Sequence, residues 1–218
     1  MENTVSIGLL EGLAARRSCR AFEKKPIPAE VLKAVLQDAC HAPSAKNMQP
    51  WEVYVLSGTK LDTLRAASVA ALKAKNTSKL HSAPVSPALT SRARALSADM
   101  ASFLEKQAWD DGRSFVERSI EYFDAPAAAI ICVDSPKFEI DAGLFTLALC
   151  LSAEGHGLAS CILGYPLIVE HAIRTSLALP EGRNVVVTVA LGYAADAPMA
   201  KFRSSRAPLE ENIHFLTE

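Results

Sequence analysis

The chain places RRSCRAF at residues 16–22 and, after one predicted helix, APSAKNMQPW at residues 42–51. The first stretch holds three arginines and a serine within five residues. The second contains two prolines and several short polar side chains, which predicts a loop. Apolar residues from Ala29 to Cys40 recur on one face of the intervening helix, and Trp51–Leu56 has the composition of a strand. We predict the fold from this order of basic cluster, helix, polar loop and strand.

Apolar periodicity along the rest of the chain predicts a protein of mixed helix and strand. The predicted strands are Trp51–Leu56, Pro126–Val133, Ser160–Leu163 and Val185–Tyr193. The predicted helices are Val5–Ala15, Ala29–Cys40, Leu61–Ala74, Arg92–Trp109, Ser114–Tyr122, Phe138–Glu154 and Ile168–Leu179. Because Pro126–Val133 is apolar throughout, it fits a strand that is buried on both faces.

Three further segments carry hypotheses about assembly and substrate access. Lys75–Ser91 is the best candidate for a long loop, and such loops often act as lids, so we expect it near the substrate. The helix Phe138–Glu154 is apolar nearly all round, which fits either a helix between subunits or the central helix of a single core. The apolar run Ile213–Leu216 is expected to pack on its own core or on that of a partner.

Length and composition exclude several classes of protein. With 218 residues, the chain fits one domain over residues 1–218. The formal net charge of -1 provides no global field that would attract nucleic acid or anionic lipid. No apolar run approaches the length of a membrane span, and the residues at Met1–Asn3 lack the basic start of a signal peptide. The expected location is the cytoplasm.

Cysteine and histidine spacing favours neither disulfides nor metal binding. The cysteines, which we expect to be reduced and buried, are Cys19, Cys40, Cys132, Cys150 and Cys161. Neighbouring arginines are expected to lower the thiol pKa of Cys19. The histidines never occur at the spacing that places two ligands on one helix face. Gly155 and Gly157 nearly spell a dinucleotide fingerprint, but they follow a predicted helix and are predicted to end it.

Two basic clusters remain as candidates for a binding site. The first comprises Arg16, Arg17, Ser18 and Arg20, and the second comprises Lys201, Arg203 and Arg206. Guanidinium groups suit phosphate because they stay charged and donate paired hydrogen bonds in one plane. The two clusters could therefore converge on a single anion. The alternative, on charge alone, is a solvated charged surface.

The motifs at residues 16–22, 26–28 and 42–51 together resemble the N-terminal region of the FMN-dependent nitroreductase family. Weaker landmarks continue the resemblance through Tyr122–Pro126, Ile162–Tyr165 and Leu191–Tyr193 to Arg206, so that it covers nearly the whole chain. Only Leu61–Phe115 lacks landmarks. Within it, residues 75–115 correspond to the variable region with which family members cover their substrates.

The resemblance implies an α+β fold with a mainly antiparallel sheet between helices. It also implies an intertwined homodimer, in which the tail Ile213–Leu216 adds to the sheet of the partner. The cofactor would be bound FMN. Arg16, Arg17 and Ser18 would hold the FMN phosphate and ribityl chain, and Arg206 would close the phosphate site. Arg20 would reach the pyrimidine edge of the flavin, where a fixed cation stabilises the negative charge left by reduction.

Two further parts of the flavin site follow from the same resemblance. Pro43, Ser44, Asn47 and Gln49 would contact the flavin, partly from the other subunit. The backbone N–H groups of Leu163 and Gly164 would face the flavin ring, and a glycine permits close approach there. Many relatives carry an acidic residue where Leu163 stands.

The implied activity is electron transfer from NADH or NADPH, through FMN, to a nitroaromatic or quinone acceptor in a ping-pong mechanism. The flavin carries the chemistry, so we assign no catalytic side chain. Another enzyme function keeps FMN but uses an activated alkene, a halogenated phenol or flavin itself as acceptor. A third possibility is a flavin-storing or flavin-sensing protein without turnover.

Overall fold

The computed structural model of the chain describes residues 8–78, 85–107, 109 and 111–216. Its strands are β1 (Glu52–Ser57), β2 (Ala127–Val133), β3 (Ala159–Leu163) and β4 (Asn184–Gly192). Its helices are α1 (Leu9–Ala15), α2 (Ala29–Ala39), α3 (Gly58–Lys73), α4 (Pro87–Gln107), α5 (Phe115–Ile120), α6 (Glu139–Gly155), α7 (Glu170–Leu177) and α8 (Pro198–Lys201).

The four strands form one antiparallel sheet in the order β1-β2-β4-β3. Every residue of the central strand β2 is buried, which confirms the prediction of a strand covered on both faces. Its side chains alternate between two cores, as the pleat of a strand requires. Ile130 belongs to the core that includes Leu61 and Leu64 of α3, whereas Ile131 belongs to the core that includes Phe145 of α6. The predicted α+β, mainly antiparallel fold is confirmed.

Within the described part of the chain, another segment pairs with one edge strand of the sheet, β3, but not with the other edge strand, β1. Ser18 forms a parallel bridge with Ser160 at the outer edge of β3, and the Cys19 N–H donates to the Ser160 carbonyl over 2.9 Å. The N-terminal basic stretch is thereby fastened to the sheet. At the other edge, β1 pairs with β2 alone among the residues that the structure describes. That edge has free backbone groups, which are a template for another strand.

Helix α6 covers the sheet with only one of its apolar faces. Phe145 and Leu149 are buried against the sheet, whereas Ile140, Leu144 and Leu147 are exposed. The helix is followed by Gly157, which has a positive φ of 73° and lies in the turn that leads to β3. Gly155 is the last residue of α6, so the prediction that Gly155 and Gly157 end this helix is confirmed.

Several predicted boundaries are wrong by a few residues. The predicted helix Leu61–Ala74 begins earlier, at Gly58, because Ser57 is extended and the chain turns directly into α3. The predicted helix Arg92–Trp109 begins at Pro87, since proline suits a first helical turn. The predicted loop Lys75–Ser91 is correspondingly shorter, and its residues 79–84 lie outside the described part of the chain.

Other boundaries shift for local reasons. The predicted helix Ile168–Leu179 begins only at Glu170, after a 3-10 turn at Tyr165–Val169. The predicted helix Ser114–Tyr122 is shorter, at Phe115–Ile120, and Ser114 caps it: its hydroxyl accepts the Glu117 N–H while the Glu117 carboxylate accepts the Ser114 N–H. Among the described residues, no helix combines the length and the apolar character that crossing a membrane requires.

Candidate functional site

A cavity of about 380 Å³, which we call the basic pocket, lies where residues 13–20 meet residues 202–206. The residues that line it are Leu13, Ala14, Arg16, Arg17, Ser18, Arg20, Leu96, Phe202, Arg203, Ser204 and Arg206. Arginines from both predicted clusters therefore share one space. Lys201 does not line it, because its ammonium pairs with Asp196 on the surface.

Backbone hydrogen bonds hold the walls of the basic pocket together. Arg203 donates to the carbonyls of Ala14 and Ala15 over 2.7 and 3.1 Å. Those carbonyls belong to the last turn of α1 and have no partner within the helix, so the guanidinium caps the helix end. Arg17 donates through Nε to the Ala200 carbonyl of α8. Each end of the chain thus positions the other.

The basic pocket is rich in positive charge that no carboxylate balances. Arg16, Arg17 and Arg20 are half-buried, and Arg203 and Arg206 are exposed. Within the described ranges, none of these five guanidinium groups forms an ion pair. Like charges at close range repel one another, so a bound anion would stabilise the pocket. Guanidinium groups and serine hydroxyls are the donors that bind phosphate in proteins, so the donor set fits a phosphomonoester.

Arg20 lies at the inner side of the basic pocket. Its guanidinium donates to the Ser18 carbonyl over 3.2 Å, and its Cζ lies 6.0 Å from the centre of the Phe115 ring. Phe115 in turn packs edge-on against Tyr165, with ring centres 6.3 Å apart. Arg20 therefore connects the charged pocket to a group of aromatic side chains beside the end of β3.

The loop that carries Pro43, Ser44, Asn47 and Gln49 does not line the basic pocket of its own chain. It is largely exposed but held in a defined shape: the Ser44 hydroxyl accepts the Gln49 N–H over 2.9 Å. Lys46, Asn47 and Gln49 have positive φ values of 52°, 55° and 47°. Non-glycine residues in this region carry backbone strain, which persists only where contacts enforce it.

One such contact comes from α6, where the Asp141 carboxylate accepts the Ala45 N–H over 2.8 Å. Asp141 is buried, so this hydrogen bond ties the loop firmly to the helix. The loop is thus built as a rigid, outward-facing element rather than as part of the pocket behind it.

Leu163 and Gly164 lie at the end of β3. Leu163 is buried, and its carbonyl accepts the Thr188 hydroxyl over 3.1 Å. Gly164 is exposed, and a Cβ added to it would meet no heavy atom within 4 Å. Open space therefore adjoins the backbone here, which suits the close approach of a planar ring. Neither residue lines the basic pocket itself.

The cysteines differ from expectation in two respects. Cys19 is fully buried, and burial raises the pKa of its thiol although Arg17 and Arg20 act in the opposite direction. The prediction of a lowered pKa is therefore wrong. Cys40 is exposed, so the prediction of burial is wrong for that residue. Burial raises the pKa of the Cys161 thiol to about 12, consistent with a packing role.

Sequence reasoning missed five residues that line the basic pocket, namely Leu13, Ala14, Leu96, Phe202 and Ser204. The Ser204 hydroxyl accepts a hydrogen bond from Arg206 over 2.7 Å. Its place between Arg203 and Arg206 was a usable signal, since short hydroxyl side chains often accompany arginine in anion sites. No sequence pattern marked Leu96, because only the tertiary fold brings α4 next to the basic pocket. No group of potential metal ligands occurs among the described residues.

An antiparallel α+β fold with a guanidinium-lined pocket suited to phosphate defines the class of this protein, and comparison with known proteins narrows it. The sequence profile of the Nitroreductase family matches residues 13–193. The chain is 32% identical over 216 residues to a chloronitrobenzene nitroreductase of Comamonas testosteroni, covering 93% of this chain and 94% of that one. It is 30% identical over 226 residues to a 4-nitrobenzoate reductase of Nocardioides sp. (strain LMS-CY), covering 92% and 87% respectively.

Among solved structures, the fold matches the FMN-dependent nitroreductase NfnB from Mycobacterium smegmatis in complex with NADPH. The TM-score is 0.85 at 27% sequence identity, over 94% of this chain and 96% of that chain. The chain therefore belongs to the nitroreductase family.

Proposed function

We propose that this protein is an FMN-dependent oxidoreductase that passes electrons from NADH or NADPH to a nitroaromatic or quinone acceptor. The single observation that carries the proposal is the meeting of arginines from both ends of the chain in one pocket suited to phosphate. Family relatives named for the reduction of nitroaromatic compounds, and a structural neighbour described with FMN and NADPH, support it.

In this proposal, Arg16, Arg17, Ser18 and Arg206 hold the phosphate and ribityl chain of FMN. Arg206 makes hydrogen bonds only to its neighbours Ser204 and Ser205 among the described residues, so its guanidinium can turn toward a ligand without breaking the fold. Arg17 is already anchored through Nε, which leaves its terminal nitrogens for the anion. Because the arginines balance no carboxylate, binding an anion costs no existing ion pair.

When bound, FMN supplies the two-electron chemistry of the reaction. Arg20 has the position and charge to stabilise the negative charge that develops at the pyrimidine edge. Leu163 and Gly164 would present backbone N–H groups to the ring, and open space adjoins the backbone of Gly164. No side chain of the chain is assigned as general acid or base, so protons would come from solvent. Donor and acceptor would bind at the same site in turn, which predicts ping-pong kinetics.

We further propose that the functional unit is a homodimer. Its support is an exposed loop with Pro43, Ser44, Asn47 and Gln49, which in a dimer would complete the flavin site of the partner. The exposed apolar face of α6 provides a surface for the contact. The uncovered edge of β1 offers a place for the tail Ile213–Leu216 of the partner, which is exposed in the single chain.

Residues 75–115 are proposed to cover the substrate. Much of this segment is α4, whose Leu96 reaches the basic pocket and whose Gln107 side chain accepts the Met199 N–H over 2.9 Å. The segment thus contacts the elements that form the flavin site, as a substrate cover must.

Purification without added cofactor tests the proposal. We expect a yellow protein whose absorption spectrum is that of oxidised flavin, and from which denaturation releases FMN. Anaerobic mixing with NADH or NADPH should bleach the flavin band rapidly. A flavin-storing protein would bind FMN but stay oxidised. A steady-state screen of nitroaromatics, quinones, activated alkenes and halogenated phenols then identifies the acceptor class.

A further inference from the structure

A second cavity of about 350 Å³, which we call the aromatic pocket, adjoins the basic pocket. Arg20 lines both cavities, so the two spaces meet at that side chain. The lining of the aromatic pocket includes Phe22, Lys24, Trp109, Arg118 and Phe123, together with the carboxylates of Asp111 and Asp124. If Arg20 marks the pyrimidine edge of the flavin, the aromatic pocket lies beside the ring.

Packed aromatic side chains form one wall of the aromatic pocket. The rings of Trp109 and Phe123 stack with their centres 6.2 Å apart and their planes at 27°. The guanidinium carbon of Arg118 lies 4.2 Å from the centre of the Trp109 ring, and this cation holds the indole in place. The side chain of Arg118 is only 5% exposed, so the arrangement is part of the packed interior. Phe123 is only 4% exposed, so this wall offers ring edges, which suit edge-to-face contact with another aromatic ring.

Phe123 is held by an unusual turn. It has a positive φ of 50°, between Tyr122 at 58° and Asp124 at 60°. Arg65 secures the turn by donating through Nε to the Glu121 carbonyl over 2.9 Å and through Nη2 to the Ala125 carbonyl. Strain of this kind clusters at functional sites, because surrounding contacts must enforce it.

The charges around the aromatic pocket are unevenly balanced. Arg113 pairs with Asp111, Glu121 and Asp124, and Arg118 also pairs with Asp111. In contrast, neither Lys24 nor Arg20 forms an ion pair with any residue in the described part of the chain. The pocket therefore combines an aromatic wall with cations that are available to an incoming anion.

We propose that the aromatic pocket binds the electron acceptor and favours aromatic acceptors that carry an acidic group such as a carboxylate. The ring lies against Trp109 and Phe123, and the carboxylate lies between Lys24 and Arg20. This inference rests on the proposed function, since it names the substrate class of the same flavin site. The volume is at the lower end of the ~300–1,000 Å³ typical of ligand pockets, which suits a single substituted ring better than a dinucleotide.

The test compares 4-nitrobenzoate with neutral 4-nitrobenzamide in the FMN-loaded enzyme. The quantity measured is the ratio of their kcat/KM values, in the native protein and in Lys24→Gln. We expect the substitution to lower this ratio about fivefold, as befits one charge-assisted contact at an exposed rim. The loss should lie in the KM for 4-nitrobenzoate, because the lysine contacts the acceptor away from the reacting nitro group. The intrinsic reactivities of the two acceptors cancel, because the ratio in Lys24→Gln is compared with the same ratio in the native protein.

Lys25→Gln is the matched control. Lys25 is adjacent in sequence, but its ammonium lies 4.3 Å from the centre of the Tyr193 ring and does not line the aromatic pocket. Its substitution should leave the ratio unchanged. A binding measurement supplements the kinetics: calorimetric titration with benzoate, which is not reduced, should show about fivefold weaker binding to Lys24→Gln. Benzamide should bind both proteins equally.

An unchanged ratio in Lys24→Gln, or an equal change in Lys25→Gln, would overturn the inference. So would a change in the preference for NADPH over NADH with the acceptor ratio intact, because the lysine would then serve the nucleotide. Failure of the proposed function looks different: the native protein would hold no flavin or would reduce neither acceptor, and the benzoate titration would still report on the pocket.

Discussion

Among single residues, Arg206 offers the most direct test of the proposed flavin phosphate site. It is exposed and bonded only to neighbouring serines among the described residues, so its removal should leave folding intact. We expect Arg206→Ala to raise the Kd for FMN about tenfold, the loss of one charge-assisted contact. Fluorescence titration of the apoprotein with FMN measures it. Lys201→Ala, a nearby substitution outside the pocket, should change the Kd less than twofold; equal effects would contradict the assignment.

The Asp124 carboxyl is a single residue whose protonation should make the stability of the fold depend on pH. Arg113 binds both of its carboxylate oxygens, over 2.9 and 2.7 Å, and this contact lowers the pKa of the Asp124 carboxyl. A lowered pKa in the folded state contributes stability above the ordinary carboxyl pKa. That contribution is lost as pH falls through the lowered value. Asp124 is partly exposed, so solvent screening limits the contribution to about 1 kcal/mol.

Asp124→Asn isolates this ion pair, because asparagine tolerates the same left-handed backbone. Urea unfolding at pH 7 should show a lower midpoint than that of the native protein. The difference should shrink in acid, where the native carboxyl also becomes protonated. A difference that stays constant from pH 7 to below the ordinary carboxyl pKa would show that the ion pair is not its source.

At the scale of elements, Gly192 controls how the N-terminal stretch docks on the sheet. A Cβ at this position would lie 2.5 Å from Pro126 Cδ and 2.9 Å from Phe22 Cδ1. We expect Gly192→Ala to destabilise the fold by about 1–3 kcal/mol, since neither ring can move freely. Displacing Phe22 should also weaken FMN binding. Gly155→Ala at the end of α6 meets no atom within 4 Å and should lose neither stability nor flavin; equal losses in both variants would refute the docking argument.

Elements were predictable where periodicity is strong. The helix from Ala29 and the strand that ends at Val133 follow directly from their apolar patterns. Boundaries were less predictable because Gly58 and Pro87, which usually interrupt structure, here begin helices. The start of α3 could not be predicted from Gly58 alone. Ser57, the residue before it, already has the extended backbone of an N-cap residue, so the helix begins directly at Gly58.

The site was predictable where its members form clusters in the sequence, such as the arginines of residues 16–20 and 203–206. The arginines of residues 16–20 formed a visible cluster, but Lys24 and Trp109 meet only through the fold. The same limit explains Cys19, whose neighbouring charges are visible in the sequence although its burial is not. Charge patterns are local, whereas desolvation depends on tertiary packing.

For the whole molecule, we predict that the tail decides whether the chain dimerises. Glu211 and Asn212 remain on their own chain, since Arg92 of α4 binds them over 2.6 and 3.1 Å. Beyond them, Ile213, Phe215 and Leu216 are 48%, 76% and 93% exposed. Burying a large apolar side chain contributes about 1.5–3 kcal/mol, so three of them would contribute substantially to association. We therefore predict that a chain ending at Asn212 keeps its own basic pocket but dimerises poorly.

We expect this truncation to raise the dimer Kd at least about 100-fold in sedimentation equilibrium. Flavin content should fall with dimer content, because the loop around Ser44 and Asn47 would no longer reach the flavin of the partner. A chain ending at Leu216 is the control and should behave as the full protein. If the chain that ends at Asn212 stays dimeric and retains its flavin, the tail exchange is wrong. If it becomes monomeric but holds FMN with unchanged affinity, the site is complete within one chain, and the partner loop contributes nothing to it.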